Sequence, residues 1–157
     1  AQAFPTTNVF GASIVLTGLQ MFVRQNTPLA YIDESLLLNP PVNLDVAALT
    51  DFSAVVDDSA NTMLLTFAPT PVPADHVLQI SATPAVSPGI SYFKNKLRQI
   101  TALPAATATG EDVQAEWVAL FGSAPATGQK IAFQARLLSL ITGTPSTPLQ
   151  FDAIVTA

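Results

Sequence analysis

Residues 128–157 read GQKIAFQARLLSLITGTPSTPLQFDAIVTA. Two alternating apolar runs, 130–140 and 149–156, flank the cluster TGTPSTP. Alternation with a period of two is how a strand with one buried face reads. Gly, Pro, Ser and Thr between two such runs are turn chemistry, because each stabilises or tolerates the dihedrals of a chain reversal. The segment predicts a pair of antiparallel strands.

The same pattern recurs upstream. ALTDFSAVV (48–56), NTMLLTFAP (61–69), HVLQISATP (76–84) and SYFKNKLRQIT (91–101) read as further strands. Asp57-Asp58-Ser59, PTPVPAD and SPG punctuate them. Short strands joined by Pro/Gly turns, with no crossover helix alternating between them, predict a mainly β chain folded as an antiparallel β-sandwich. One helical segment interrupts the strands. In TGEDVQAEWVALFG, Val113, Trp117, Leu120 and Phe121 fall at i, i+4, i+7 and i+8. Glu111 and Asp112 suit the positive end of the helix dipole, and Gly122 is a stop signal. This predicts a short helix near 111–121 that caps the sandwich with Trp117 beneath it.

Ahead of the sandwich, residues 1–38 read differently. FPTTNVFGASIVL is an extended apolar arm. Thr17 then resembles an N-cap for GLQMFVRQN, where Leu19, Phe22 and Val23 share a helical face. Thr27-Pro28 restarts or kinks the helix before LAYIDESLLL, which carries Leu29, Ile32 and Leu36 at i, i+3 and i+7. Two short helices, or one bent helix, therefore follow the arm. NPPVNLD (39–45) is a Pro-Pro linker, and 46–157 is the sandwich domain.

Composition narrows the function. The 157 residues are 49% hydrophobic but only 11% charged, against a usual charged share of about 25%. A surface with so few charges suits a protein covered by partners. The net charge of −5 and the six Lys and Arg argue against a nucleic-acid partner. KNKLR (94–98) is the sole basic cluster, and as a strand it would put Lys94, Lys96 and Arg98 on one solvated face. There is no cysteine, so disulfides, thiolate metal sites and Cys nucleophiles are excluded. AQAFPTTNVF carries no signal-peptide pattern. The most apolar run, 9–23, is interrupted by Gly, Ser, Thr and Gln and falls short of the roughly 20 residues of a membrane span.

No catalytic, cofactor-binding or metal-binding constellation stands out, and no cofactor is implied. His76 is the only histidine; it reads as a turn-to-strand residue, and no G-x-S-x-G elbow accompanies it. Asp57, Asp58 and Asn61 offer calcium-type oxygens, yet they also read as an Asx turn. Glu111, Asp112 and Glu116 read as helix charges rather than a glycosidase pair. No phosphate-binding glycine motif occurs.

The stretch TGQKIAFQARLLSLITGTPSTPLQ resembles the penultimate strand, turn and last strand of fibronectin type III-like and immunoglobulin-like modules. LTGLQMFVRQNTPLAYIDESLLLNPP, followed by LTFAPTPVPADHVLQISATPAVSPGISYFKNKLRQI, is similar to the order found in poorly characterised structural proteins of bacteria and their phages. That resemblance covers residues 15–157. It implies a structural role and no activity.

These readings converge on a non-enzymatic structural or assembly subunit: a virion, tail or extracellular filament protein. It would associate with copies of itself, or with other structural subunits, through the apolar arm and through sheet edges. Phe4, Val9, Phe10, Ile14, Val15, Leu16, Tyr92 and Phe93 are the expected interface residues. The alternative is a carbohydrate- or cell-surface-binding sandwich module, with the aromatics as its platform.

Overall fold

In a computed structural model the protein is described at residues 4–7 and 13–16 as backbone, and at 18–38, 46–91, 93 and 95–157 in full. Seven strands and a short helix build the region from Asp51 onward. These are β3 (Asp51–Asp57), β4 (Thr62–Ala68), β5 (His76–Ala82), β6 (Arg98–Leu103), β7 (Glu111–Asp112), α2 (Gln114–Phe121), β8 (Lys130–Ser139) and β9 (Leu149–Ile154). They form an antiparallel three-stranded sheet, β3-β4-β7, and an antiparallel four-stranded sheet, β6-β5-β8-β9. The chain crosses between sheets after β4, after β6 and after β7. This is the β-sandwich that the alternating pattern predicts.

Alternation sets the core. Phe52, Ala54 and Val56 on β3 and Met63, Leu65 and Phe67 on β4 are buried, whereas Val55 and Leu64 face outward. From the other sheet, Leu78, Ile80, Ile131, Phe133, Ala135 and Leu137 meet them in one cluster. Burying each large aliphatic or aromatic group contributes about 1.5–3 kcal/mol. The run quoted at the outset pairs as expected, from Lys130↔Ile154 to Ala135↔Leu149.

The two long sides of the sandwich are closed differently. On one, the chain after β9 hooks onto β3: Thr156 N–H donates to Val56 O at 2.9 Å, and Asp58 N–H to Thr156 O at 2.9 Å. On the other, α2 touches both β4 and β6. Trp117, 2% exposed, anchors it. Its Nε1–H donates to Thr83 O at 3.1 Å, and its ring meets Phe121 with centroids 5.0 Å apart. Gly122 ends the helix in the left-handed region at φ 89°, its N–H closing on Val118 O at 2.8 Å.

Two local expectations are corrected. Glu111 and Asp112 do not form the first helical turn; they pair with Leu65 and Leu64 as β7, because the outer edge of β4 offers free backbone groups. Asp112 still serves the helix, its Oδ1 accepting the N–H of Gln114 (3.0 Å) and of Met63 (2.9 Å). The strand expected over 91–101 begins only at Arg98. Residues 95–96 are a turn, with Lys96 N–H on Phe93 O at 2.8 Å, so Lys96 and Arg98 share no strand face. Lys94 lies outside the described residues.

The N-terminal arm is extended, as expected, in two short strands. Phe4–Thr7 (β1) and Ser13–Leu16 (β2) pair with one another as an antiparallel hairpin, from Phe4↔Leu16 to Thr7↔Ser13. A single helix, α1 (Gly18–Tyr31), follows, with Pro28 inside it. Thr27 Oγ1 donates to Val23 O at 2.7 Å in the turn where proline removes a backbone donor. Asp33, at φ 59°, ends the helix, with Glu34 N–H on Leu29 O (3.0 Å) and Asp33 N–H on Ala30 O (3.3 Å). That double closure is a Schellman motif with aspartate in the position glycine usually takes. The linker expected over 39–45 and the cap expected at Thr17 lie outside the described residues.

The helix meets the loop after β8 at Gly143. A Cβ there would stand 2.1 Å from Gln25 O, and φ is 63°. Gly143→Ala should therefore force α1 away from the loop. Hydrogen exchange is expected to show loss of protection over 18–31 while the strands of the sandwich keep theirs. For the opposite flank, Trp117→Ala should lower unfolding stability by about 3–5 kcal/mol, as large core truncations do; an unchanged denaturation midpoint would contradict the anchoring role.

Candidate functional site

The N-terminal unit carries the most exposed apolar surface. None of residues 18–38 belongs to the sandwich core cluster. On α1, Met21, Gln25 and Leu29 are buried at i, i+4 and i+8, with Asn26 beside them. Leu19 and Val23, one turn apart on another face, are 73% and 54% exposed. Tyr31, Leu36 and Leu38 are also exposed. Asn26 holds the segment after the helix in place: its Nδ2 donates to Leu37 O (3.1 Å) and its Oδ1 accepts from Leu37 N–H (2.7 Å).

The expected interface residues separate. Phe4 and Leu16 are Cα partners in the hairpin, with Val15 opposite Pro5 and Ile14 opposite Thr6. Val9, Phe10 and Tyr92 lie outside the described residues. Phe93 is corrected: it is 3% exposed in its own chain, with the Lys130 ammonium 4.9 Å above its ring and 3.7 Å from Asp152. Leu19, Val23, Tyr31, Leu36 and Leu38 were not singled out as interface residues. Their signal was hidden because the buried stripe of α1 runs through the polar Gln25, so Leu19 and Val23 looked like its core face.

A second feature lies beside the 95–98 turn. Pro84, Val86, Asn95, Lys96, Arg98 and Phe121 line a surface cavity of about 290 Å³. Arg98 Nη1 donates to Asn95 O (3.2 Å) and Leu97 O (2.9 Å), which fixes both the turn and the guanidinium. Another hollow, about 350 Å³, has Asn61, Asp112 and Gln114 in its wall. Gln114 Nε2 donates to Asn61 Oδ1 there.

The polar residues weighed for chemistry have structural partners. His76 Nδ1 lies 2.8 Å from Ala74 O, and its Nε2 accepts from Ala47 N–H at 3.4 Å; that pairing places the proton on Nδ1. Asp58 Oδ2 accepts from the hydroxyl and the N–H of Thr127 at 2.9 and 3.2 Å. Among the described residues no group of three or more His, Asp or Glu is placed to hold a metal ion, and no helix is long and apolar enough to cross a membrane.

The fold is similar to a solved structure described as a Fn3-like protein from Clostridium thermocellum, at 20% identity and a TM-score of 0.42, over 71% of this chain and 94% of that one. No family model and no curated protein sequence matches the chain.

Asp57 shows how the turn chemistry operates. Its Oδ1 accepts from Ala60 N–H (2.9 Å) and Ser59 Oγ–H (2.8 Å). Those bonds favour the ionised form, the Ala60 N–H most, and hold the carboxyl below its ordinary value of 3.8. A carboxyl lowered on folding stabilises the fold above its unfolded pKa and loses that contribution as pH falls through the folded value. The stability gap between the protein and Asp57→Ala should be full at neutral pH and should close only below pH 3.8, as denaturant titrations over pH 2–7 would show.

Proposed function

We propose that the chain is a non-enzymatic structural subunit, of a virion or an extracellular filament, that associates with copies of itself through its N-terminal unit. One observation carries this reading. Leu19, Val23, Tyr31, Leu36 and Leu38 are 73%, 54%, 68%, 53% and 89% exposed within one short stretch of chain. Soluble monomers rarely leave that much large apolar surface together in water, because each such group gains about 1.5–3 kcal/mol on burial. The β1–β2 hairpin belongs to the same unit, and strand addition at its edge would be a further means of association. The resemblance to bacterial and phage structural proteins supports the same role.

The sandwich edges contribute less to this mechanism than the unit itself. β3 is engaged by the chain after β9, and β4 is partly covered by β7 and touched by α2. The test is the association state of the whole chain, by sedimentation and electron microscopy across micromolar concentrations. Oligomers or filaments are expected. The double variant Leu19→Glu/Val23→Glu should be monomeric with an unchanged melting temperature, since both positions are exposed, and removal of residues 1–16 should also abolish assembly. A wild-type chain that stays monomeric, or variants that assemble as before, would overturn the proposal.

A further inference from the structure

The cavity beside the 95–98 turn has the composition of a ligand site. One wall is apolar: Pro84, Val86 and Phe121, whose ring is steadied by Trp117 at 5.0 Å and an interplanar angle of 49°. The other wall presents donors from Asn95, Lys96 and Arg98, and among the described residues no carboxylate lines it. The ion pair of the described residues, Lys130–Asp152, involves neither Lys96 nor Arg98. Arg98 uses Nη1 on two backbone carbonyls, so its guanidinium is held in place while Nη2 and Nε have no acceptor among the described residues. One fixed cation, Arg98, and one exposed cation, Lys96, thus stand beside an aromatic ring and an amide.

The chemistry of a matching ligand follows. It carries a carboxylate for the cations, a flat C–H-rich face for the apolar wall, and hydroxyls for the Asn95 amide, which both donates and accepts. A cavity of about 290 Å³ stands at the lower end of ligand sites, ~300 Å³ upward, so the bound group is of monosaccharide size. A polyanion does not fit: the chain carries −5 overall, and two cations do not make the extended basic track that phosphate polymers need.

We propose that this cavity binds a terminal uronic-acid residue of a glycan, its carboxylate between Lys96 and Arg98 and its ring face against Phe121. The site is independent of self-association and stands or falls separately from it. Amide chemical shifts of the full-length chain, titrated with sodium glucuronate, glucose, acetate and an N-acetylglutamate amide, test it. Glucuronate should give saturable shifts confined to residues 95–98 and 121–122, at least tenfold tighter than the other three. Lys96→Ala should weaken it about tenfold, the scale of one charge-assisted hydrogen bond, with the melting temperature unchanged. Equal binding of acetate would mean a plain anion site and would overturn the sugar assignment. Tighter binding of the glutamate amide would overturn it in favour of an acidic peptide. No saturable shift up to about 50 mM, a free energy too small for recognition, would remove the site altogether.

Discussion

The indole N–H of Trp117 reaches Thr83 O at 3.1 Å, and the placement of α2, the end of the β5–β8 ladder and the wall of the Phe121 cavity all follow from that contact. Thr83 is fully buried and fully used. Its N–H donates to Ala132 O at 3.0 Å, and its hydroxyl accepts from Ala132 N–H at 3.1 Å. The threonine thus extends the strand pairing beyond Ala82 and frees its own carbonyl for the indole. A buried carbonyl without a partner costs roughly 1–3 kcal/mol, so the tryptophan satisfies a group that the chain's exit from β5 would otherwise strand. The helix lies across the open side of the sandwich because its one large side chain must enter there.

Closure has a consequence for the surface. A sandwich with bare edges would offer unpaired N–H and C=O groups to any neighbour. Here the Thr156 hook on β3 and the α2 plug near β4 and β6 reduce that liability. What remains is apolar side-chain surface, concentrated on α1 and the segment that Asn26 ties to it. Edge pairing is indifferent to side-chain identity, whereas side-chain packing selects its partner by shape. If the chain joins its own kind, as proposed, the second would serve it better.

The strands were legible because their signal is local and strong. Phe52, Ala54 and Val56 alternate with Ser53 and Val55, and no helical period fits them. The β8–β9 pair was legible for the same reason. Three features depended on information that no short window holds. Glu111 and Asp112 look like helix N-terminal charges, and only the distant edge of β4 makes them a strand. Lys96 looks like a strand residue until the Lys96–Phe93 turn and the Arg98 clamp are seen. The buried face of α1 contains Gln25 because Gly143 brings a loop backbone against it, a contact across the fold. Of the surface features, the basic cluster was legible as composition, but its juxtaposition with Phe121 arises only when α2 lies beside Pro84 and Val86.

The scarcity of charge takes on a sharper meaning when the charged groups are followed individually. Asp57 closes a turn, Asp58 holds Thr127, and Asp112 joins β4 to α2. Lys130 lies between Phe93 and Asp152, while Arg136, half-buried and lowered in pKa by desolvation, donates to Gln79 Oε1 at 2.8 Å. These groups tie the chain to itself, although Asp58 and Asp112 remain exposed to water. Charge repulsion is what ordinarily keeps small domains apart in concentrated solution. Each copy still carries a net charge of −5, so the self-association proposed above would work against a repulsion that salt screens. On that proposal the apolar gain, about 1.5–3 kcal/mol for each large group covered, would have to exceed the repulsion.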